Sequence, residues 1–164
     1  MTRLIVLGFL VSWVETAAAQ VSAPVGWRWT VDKQGPAAGT PAADSILEFV
    51  QMPPGWHITT KHAATLFDPA ATAEGSFALE TIQILFPGTS QSGYGLFFGG
   101  RGFEPGGQVE FTAFLIRRDG HATVERRSGA TATAVLPWTP VAAIQQVSGE
   151  ETARNVLRVS VGRD

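Results

Sequence analysis

The chain of 164 residues contains no cysteine, only one tyrosine and only two methionines. Without cysteine it cannot form disulfide bonds, a thiolate metal site or the lipid-modified N-terminal cysteine of a lipoprotein. A folded state must therefore be held together by a hydrophobic core. The composition, 45% hydrophobic with 18 glycines and 10 prolines, is typical of one globular domain that is rich in turns.

Charge of either sign is also scarce. Charged residues make up 16% of the chain, and 12 basic against 14 acidic side chains give a net charge of −2. Proteins that bind nucleic acid or anionic membranes usually carry a basic surface, and this balance does not favour one. We therefore expect no nucleic-acid partner.

The longest apolar run lies at the N-terminus. Arg3 precedes the run from Leu4 to Val14, and three alanines follow at positions 17–19. This pattern is typical of a secretory signal peptide, with cleavage expected between Ala19 and Gln20. The run is shorter than the about 20 residues that span a bilayer. We expect an exported protein, periplasmic or extracellular, without an integral membrane segment after processing; an uncleaved N-terminal anchor is the alternative.

Four strand-like segments follow one another between Phe77 and Arg127. They alternate apolar and polar residues or are rich in aromatic and β-branched residues, and short turn signals separate them. The segments are FALETIQILF, YGLFFGG, VEFTAFLIRR and HATVERR. This stretch is predicted to be the centre of the fold.

The Asp119-Gly120 dipeptide between the last two segments predicts a hairpin with a two-residue type I′ turn. Such a turn places Arg118 opposite His121, Leu115 opposite Val124 and Phe114 opposite Glu125. Alternation then gives the sheet one core face and one mixed face. The predicted core face carries Val109, Phe111, Ala113, Leu115 and Val124. The predicted mixed face carries Glu110, Thr112, Phe114, Ile116, Thr123, Glu125 and Arg127.

Weaker strand signals occur in the rest of the chain. They lie at Trp27 to Asp32, Ser45 to Met52, Trp56 to Thr60 and Asn155 to Val161. Residues 61–73 are interpreted as a loop, and the segment from 139 to 147 is the one helix candidate because its apolar residues are spaced three apart. Eight or nine short strands with little helix predict an all-β fold. We interpret it as an antiparallel β-sandwich of two sheets, with a barrel as the alternative.

Four sequence stretches resemble a known superfamily. They are MPPGWHITT at 52–60, LFDPA at 66–70, FPGTSQSGYGLFFGGR at 86–101 and FLIRRDG at 114–120. Together they resemble bacterial secreted domains of the concanavalin A-like lectin/glucanase superfamily, which includes laminin-G-like modules and 3-keto-disaccharide hydrolase-like domains. The resemblance covers about Phe49 to Val161. It implies a jelly-roll sandwich whose concave sheet binds sugars in many relatives.

Members of that superfamily usually continue with two or three further strands, so the resemblance also implies a sandwich that lacks its last strands. The expected organisation is a signal peptide at 1–19, an N-terminal strand and loop at 20–44, and a concanavalin A-like domain at 45–164.

Catalytic and metal-binding patterns are not evident. A glycosidase needs two carboxylates about 5 to 9.5 Å apart. No E-x-D or E-x-E spacing occurs, and Glu110 and Glu125, although on one face in the predicted register, would lie about 13 Å apart along the strand. The three histidines are scattered, no G-x-S-x-G motif occurs, and the glycine-rich stretch 99–102 lies between strands. We expect no catalytic residues, no metal and no cofactor.

Because no catalytic or metal-binding pattern is evident, ligand binding is the function that the sequence favours. Sugars are held by aromatic rings together with planar polar side chains. The candidate ligand-binding residues are Tyr94, Glu110, Phe114, Arg118, Glu125 and Arg127. The structural alternative is that Glu125 and Arg127 form an ordinary solvated face and that Phe114 belongs to the core.

The expected function is that of an exported carbohydrate- or glycoconjugate-binding β-sandwich without catalytic machinery. An accessory or degenerate glycoside hydrolase-like enzyme is one alternative. A structural or protein-binding module of the cell envelope is the other.

Overall fold

The computed structural model describes residues 23–31 and 47–162. The predicted signal peptide, its cleavage site at Ala19 and Gln20, and most of the predicted N-terminal loop lie outside these residues. The described residues form ten strands and no helix, as the prediction of an all-β fold requires. The strands are β1 (Arg28–Val31), β2 (Leu47–Met52), β3 (Gly55–Thr60), β4 (Ala64–Phe67), β5 (Phe77–Leu85), β6 (Tyr94–Arg101), β7 (Glu110–Ile116), β8 (His121–Ser128), β9 (Thr131–Pro140) and β10 (Ala153–Val161).

The chain divides into two compact units, Met1–Asp68 and Pro69–Asp164. In the first unit β1 pairs with β4 and β2 pairs with β3, both antiparallel. The β2–β3 hairpin turns at Pro53-Pro54, where proline removes two backbone donors that a longer strand would need. Leu47 and Phe49 are buried while Glu48 between them is exposed, which is the period-2 alternation of a strand with one covered face.

Three aromatic rings form a cluster around the buried Phe49 in the first unit. Phe49 lies 5.8 Å from the Trp29 ring and 6.5 Å from the Trp56 ring, the second contact being edge-to-face. Such tilted and edge-to-face contacts stabilise aromatic clusters beyond the area that they bury.

The second unit is built from two antiparallel sheets. One has the strand order β6-β7-β8-β9 and the other pairs β10 with β5. Ile116 and Ala122 of the four-stranded sheet form a buried cluster with Leu157 of β10. The two sheets therefore pack face to face, which is consistent with a β-sandwich. The four consecutive strands form a simple meander, and jelly-roll order stays a prediction.

Strand β10 shows how the sequence selects its inner side. Ala153, Asn155 and Leu157 are buried, whereas Arg154 and Val156 between them are exposed. The buried amide of Asn155 is paired with the backbone of Gln145: its Oδ1 accepts from the Gln145 N–H at 2.8 Å, and its Nδ2 donates to the Gln145 carbonyl at 3.0 Å. These bonds offset the cost of burying a polar group and hold the segment after β9 against β10.

The turn between β7 and β8 differs from the predicted two-residue turn. The Gly120 N–H donates to the Arg117 carbonyl at 3.1 Å, and the Arg117 N–H donates to the His121 carbonyl at 2.8 Å. Gly120 has a φ of 82°, and no described non-glycine residue has a positive φ. A type I′ turn needs positive φ at Asp119 as well, so the loop is instead a three-residue one, a type I turn followed by a left-handed glycine.

One additional turn residue shifts the partners of β8 by one position. Phe114 pairs with Val124, and Ala113 pairs with Glu125, so the predicted pairing of Phe114 with Glu125 is wrong. The shift changes which β7 side chains share a face with those of β8, because alternation has a period of 2.

Relative to the core, the β7 residues exchange faces, whereas the β8 residues keep the faces predicted for them. Phe114 and Ile116, predicted on the mixed face, lie on the side that packs against β10, together with Ala122. Ala113, predicted on the core face, pairs with Glu125 on the other side of the sheet, but its side chain is buried at 3% exposure. The sheet has one apolar and one mixed face, as predicted, but each β7 side chain lies on the face opposite to the one predicted for it.

Two segments were misassigned. Residues 61–73 contain strand β4 in place of a continuous loop, and the helix candidate at 139–147 consists of the end of β9 followed by a turn. Pro137 and Pro140 make β9 look unlike a strand, but β9 is the edge strand of its sheet, where a missing N–H donor is tolerated.

Candidate functional site

The six predicted binding residues do not come together. Tyr94, Glu110 and Phe114 lie on the face of the four-stranded sheet that looks towards β10, because cross-strand partners share a face and these residues alternate with those of the opposite side. Glu125 and Arg127 lie on the opposite face. Arg118 belongs to the β7–β8 turn.

Glu110 is held at one end of the sheet by a local network. Arg101 donates to its Oε2 from Nε at 2.6 Å and from Nη2, and Ser128 donates to its Oε1 at 3.1 Å. Hydrogen bonds from Arg101 and Ser128, together with the charge of Arg101, hold the pKa of Glu110 below its ordinary value. Because Arg101 of β6 and Ser128 of β8 each bind one of its oxygens, this carboxylate links β7 to both neighbouring strands.

Arg118 holds the loop between β5 and β6. Its Nη2 donates to the Phe86 carbonyl at 3.0 Å and its Nε donates to the Ser90 carbonyl at 3.2 Å. A guanidinium engaged with two loop carbonyls is positioned to order that loop, which makes Arg118 a structural clamp at the end of the sheet.

Tyr94 and Phe114 pack against the core cluster of Ile116, Ala122 and Leu157. Burial raises the pKa of the Tyr94 hydroxyl, and the Asn155 side chain and the charge of Arg118 oppose the rise. These two aromatic rings therefore contribute to the interior of the second unit, as the structural alternative for Phe114 predicts.

The face opposite β10 carries an ion pair at its centre. Arg127 donates from Nε to Glu125 Oε1 at 2.7 Å, and the side chains keep only 26% and 14% of their exposure. The row of partners across the sheet reads Phe97, Ala113, Glu125 and Ala134. The carboxylate of Glu125 thus has a small side chain on each side and a phenyl ring two strands away.

Three phenylalanines lie beside this pair. Phe97 is 5.0 Å from Phe111 and 5.9 Å from Phe103, and the rings of Phe103 and Phe111 are stacked at 11° with centroids 6.3 Å apart. Gly100 makes room for them, since a Cβ there would lie 2.8 Å from the Phe103 ring. The cluster fixes an aromatic wall at one end of the face.

Trp138 of β9 lies towards the β7–β8 turn on the same face. The Arg117 guanidinium is 4.3 Å from its ring centroid, a cation–π distance. The ring also packs closely on Gly93, where a Cβ would approach its Cη2 to 2.9 Å. Arg117 in turn donates to Asp119 Oδ2 at 3.0 Å, so that Trp138, Arg117 and Asp119 form a continuous chain of contacts.

Asp119 completes this chain with His121. The His121 Nδ1 lies 3.0 Å from Asp119 Oδ1. Desolvation raises the pKa of Asp119, but the hydrogen bonds from His121 and the charges of Arg117 and His121 outweigh it, so this pKa lies below its ordinary value. The carboxylate stays ionised and holds the guanidinium over the indole.

We call the surface formed by Phe97, Phe111, Ala113, Glu125, Arg127 and Trp138 the polar–aromatic face. Sequence reasoning placed only Glu125 and Arg127 among the candidate binding residues. The sequence did not indicate Trp138 and Phe97, because strand pairing brings them to the face that carries Glu125. The sequence signals that could have identified them are a tryptophan in an edge strand and a phenylalanine that alternates with glycines.

The predicted acidic neighbour of Glu125 does not lie on the polar–aromatic face. Glu110, the predicted neighbour, lies on the opposite side of the sheet. The prediction that the two acids share a face is therefore wrong, and the sheet itself separates their carboxylates.

Within residues 23–31 and 47–162 no three histidine or acidic side chains are grouped in a way that could hold a metal ion. The same ranges contain no helix with the length and apolar character needed to cross a membrane.

No family model, no curated protein and no solved structure matches the chain. The resemblance to the concanavalin A-like superfamily accordingly stays a prediction from sequence motifs.

Proposed function

We propose that the protein is an exported, non-catalytic β-sandwich that binds a carbohydrate or glycoconjugate on the polar–aromatic face. The observation that carries the proposal is the Glu125–Arg127 pair, which is partly exposed and has Phe111 as the cross-strand partner of Arg127. Sugar hydroxyls need planar hydrogen-bonding groups, and the apolar faces of sugars stack on aromatic rings.

The spacing of these groups supports a sugar-sized ligand. Phe97 and Glu125 are two strands apart in one row, which corresponds to about 10 Å, and the residue between them is the small, buried Ala113. The ion pair restrains both polar side chains, so little conformational entropy is lost when a ligand binds. Trp138 offers a second aromatic surface near the β7–β8 turn.

A glycan array probed with the full chain tests this proposal. We expect binding to at least one glycan, and a loss of about 10- to 100-fold in Glu125→Gln, because a hydrogen bond to a charged group is worth about 1.5–3 kcal/mol. Glu110→Gln is the matched control, since that acid lies on the other face. A folded chain that binds no glycan, or equal losses in both variants, would contradict the proposal.

A second candidate function, a structural or protein-binding module of the cell envelope, rests on a different surface. Ile82, Ile84 and Val156 lie on the side of the β5–β10 sheet that faces away from the core, and each keeps 50–53% of its exposure. Contiguous exposed apolar side chains often mark protein contacts. A variant in which all three residues are changed to serine separates the two candidate functions. If this variant still binds the glycan, the exposed apolar surface is not part of the glycan site.

A further inference from the structure

Strand β5 is an open edge of the two-stranded sheet. In the part of the chain that the structure describes, β5 pairs with β10 alone, and its nine residues keep one unbroken register with that strand. The edge strands of the four-stranded sheet are different, because β9 carries Pro137 and Pro140 and both β6 and β9 shift register against their neighbours. Proline, lysine and bulges protect an edge against pairing with another chain, and β5 has none of them.

The open edge of β5 presents the backbone groups of every second residue. The Arg154 N–H donates to Gln145 Oε1 at 3.3 Å, so this N–H points away from β5. In an antiparallel ladder the residue directly opposite, Ile84, then also turns its N–H and C=O away from the partner strand. Alternation gives the same direction to the other residues of this set, which are Ala78, Glu80 and Ile82. These four residues provide donors and acceptors for a further strand.

The side chains beside this edge favour contact with another protein surface. Ile82 and Ile84 each keep 53% of their exposure on the outer side of β5. Glu80, the acid on the same side, lies opposite Arg158 of β10, so the charge of each is offset within one chain. The other edge of the sheet is less suitable, because the outward side chains of β10 include two arginines and charged residues oppose edge pairing.

We propose that β5 pairs with β5 of a second copy of this chain, antiparallel and about a two-fold axis at Ile82. The two β5–β10 sheets then form one continuous sheet with the strand order β10-β5-β5-β10. Two-fold dimers are the commonest assemblies of identical chains, and strand addition at an open edge is a recurring mode of recognition. The proposal gives the exposed surface of the second candidate function its partner and does not depend on glycan binding. A monomeric chain would leave the glycan proposal intact, and a negative glycan array would leave the dimer intact.

Backbone geometry and charge select this register. With the axis at Ile82, Glu80 faces the partner's Ile84, and the outward N–H and C=O groups of the two strands meet. The two Glu80 carboxylates then lie four residues apart along the strands, about 14 Å, which exceeds the Debye length of about 8 Å. An axis at Thr81 would also match the backbone groups, but it would bring the two carboxylates to about 8 Å on the diagonal. The axis at Ile82 therefore gives the weaker repulsion.

The size of the interface predicts a weak dimer. A strand of nine residues is about 30 Å long, and a sheet is about 10 Å thick, so each copy contributes about 300 Å². Stable interfaces bury about 800 Å² per partner. We therefore expect reversible association with a dissociation constant of about 0.1–1 mM, which sedimentation of the full chain over that concentration range measures.

Disulfide cross-linking locates the two-fold axis, because the chain has no cysteine of its own. Directly opposed residues of a hydrogen-bonded pair have Cα atoms about 5.5 Å apart, which suits a disulfide bond. Ile82→Cys should therefore form a covalent dimer in mild oxidant. Val156→Cys is the matched control, since Val156 is the β10 partner of Ile82 and is similarly exposed. Its two copies would lie about 15 Å apart and should not link.

Charge exchange at the same position tests the association itself. Ile82→Lys and Ile82→Glu should each weaken self-association about tenfold, because like charges would lie directly opposite each other and the contact between two isoleucines is lost. An equimolar mixture of the two variants should associate at least as tightly as the unchanged chain. Val156→Lys places the same charge one strand away from the interface and should leave the dissociation constant unchanged. Circular dichroism establishes that each variant is folded.

The cross-linking comparison remains decisive if a charged variant fails to fold. A chain that stays monomeric up to about 1 mM would overturn the proposal. Equal cross-linking of Ile82→Cys and Val156→Cys, or a mixture of the two charged variants that associates no better than either alone, would overturn it as well.

Discussion

Replacement of Ile116 by alanine tests the packing of the two sheets in the second unit. Ile116 is fully buried, and it contacts Ala122 and Leu157 of the core cluster. The change removes three carbon groups, which at about 0.8 kcal/mol each amounts to about 2.4 kcal/mol of transfer free energy. A closely packed site also leaves a cavity, so we expect a total loss of about 3–4 kcal/mol in the free energy of unfolding.

Ile82→Ala is the matched control for this loss. Ile82 keeps 53% of its exposure on the outer side of β5. About half of the transfer free energy applies there and no enclosed cavity forms, so we expect a loss of about 1 kcal/mol.

Urea unfolding followed by circular dichroism measures both values, with an unchanged dependence on urea concentration as the sign that only stability has changed. A loss below about 1.5 kcal/mol for Ile116→Ala would refute the face assignment of β7. Equal losses in the two variants would refute it as well.

Three further predictions concern single positions. Gly95→Ala should lower the free energy of unfolding by about 2–3 kcal/mol, measured in urea, because a Cβ there would overlap the Phe114 carbonyl oxygen. Glu110 has a lowered pKa, so its contribution to stability is present above its unfolded value of about 4.5 and is lost as the pH falls further. Glu110→Gln should therefore show a smaller decline in melting temperature below that pH. Arg118→Ala should increase hydrogen exchange in the loop 86–93, whose carbonyls it holds.

Each of these variants has a control. Gly55→Ala meets no atom closer than 4.0 Å, so a loss as large as that of Gly95→Ala would contradict the steric argument. Glu104→Gln changes an exposed acid and should not alter the decline in melting temperature at low pH. An equally reduced decline in both variants would contradict the role of Arg101 and Ser128. Arg126→Ala should not affect the loop 86–93, and an equal effect would contradict the clamp.

Strand positions in the second unit could be predicted from the sequence because alternation is a local property. The four segments between Phe77 and Arg127 all form strands. Strand β9 escaped prediction because Pro137 and Pro140 argue against a strand unless it lies at an edge, and edge position depends on the fold as a whole.

The pairing between strands was harder to predict than the strands themselves. Asp119-Gly120 is compatible with either a two-residue or a three-residue turn, and the choice depends on the φ of Asp119. The Asp119 side chain accepts from the His121 N–H at 3.3 Å, a local bond that accompanies the three-residue form. One residue of difference changes which β7 side chains share a face with each β8 side chain.

The candidate site was predictable only in part for the same reason. Glu125 and Arg127 are two residues apart on one strand, so their proximity follows from alternation alone. The aromatic neighbours come from other strands, and Phe103 comes from a loop. Their convergence depends on register, which the sequence pattern left open.

The most direct test of the central claim is a nuclear magnetic resonance titration of the full chain with the glycan that binds most strongly on the array. We expect the largest chemical-shift changes at the Ala113 and Glu125 amides and at the Trp138 indole N–H, with small changes at Ile116 and Ala122. The largest changes at Ile116 and Ala122, or none on the polar–aromatic face, would contradict the claim that this face binds the ligand.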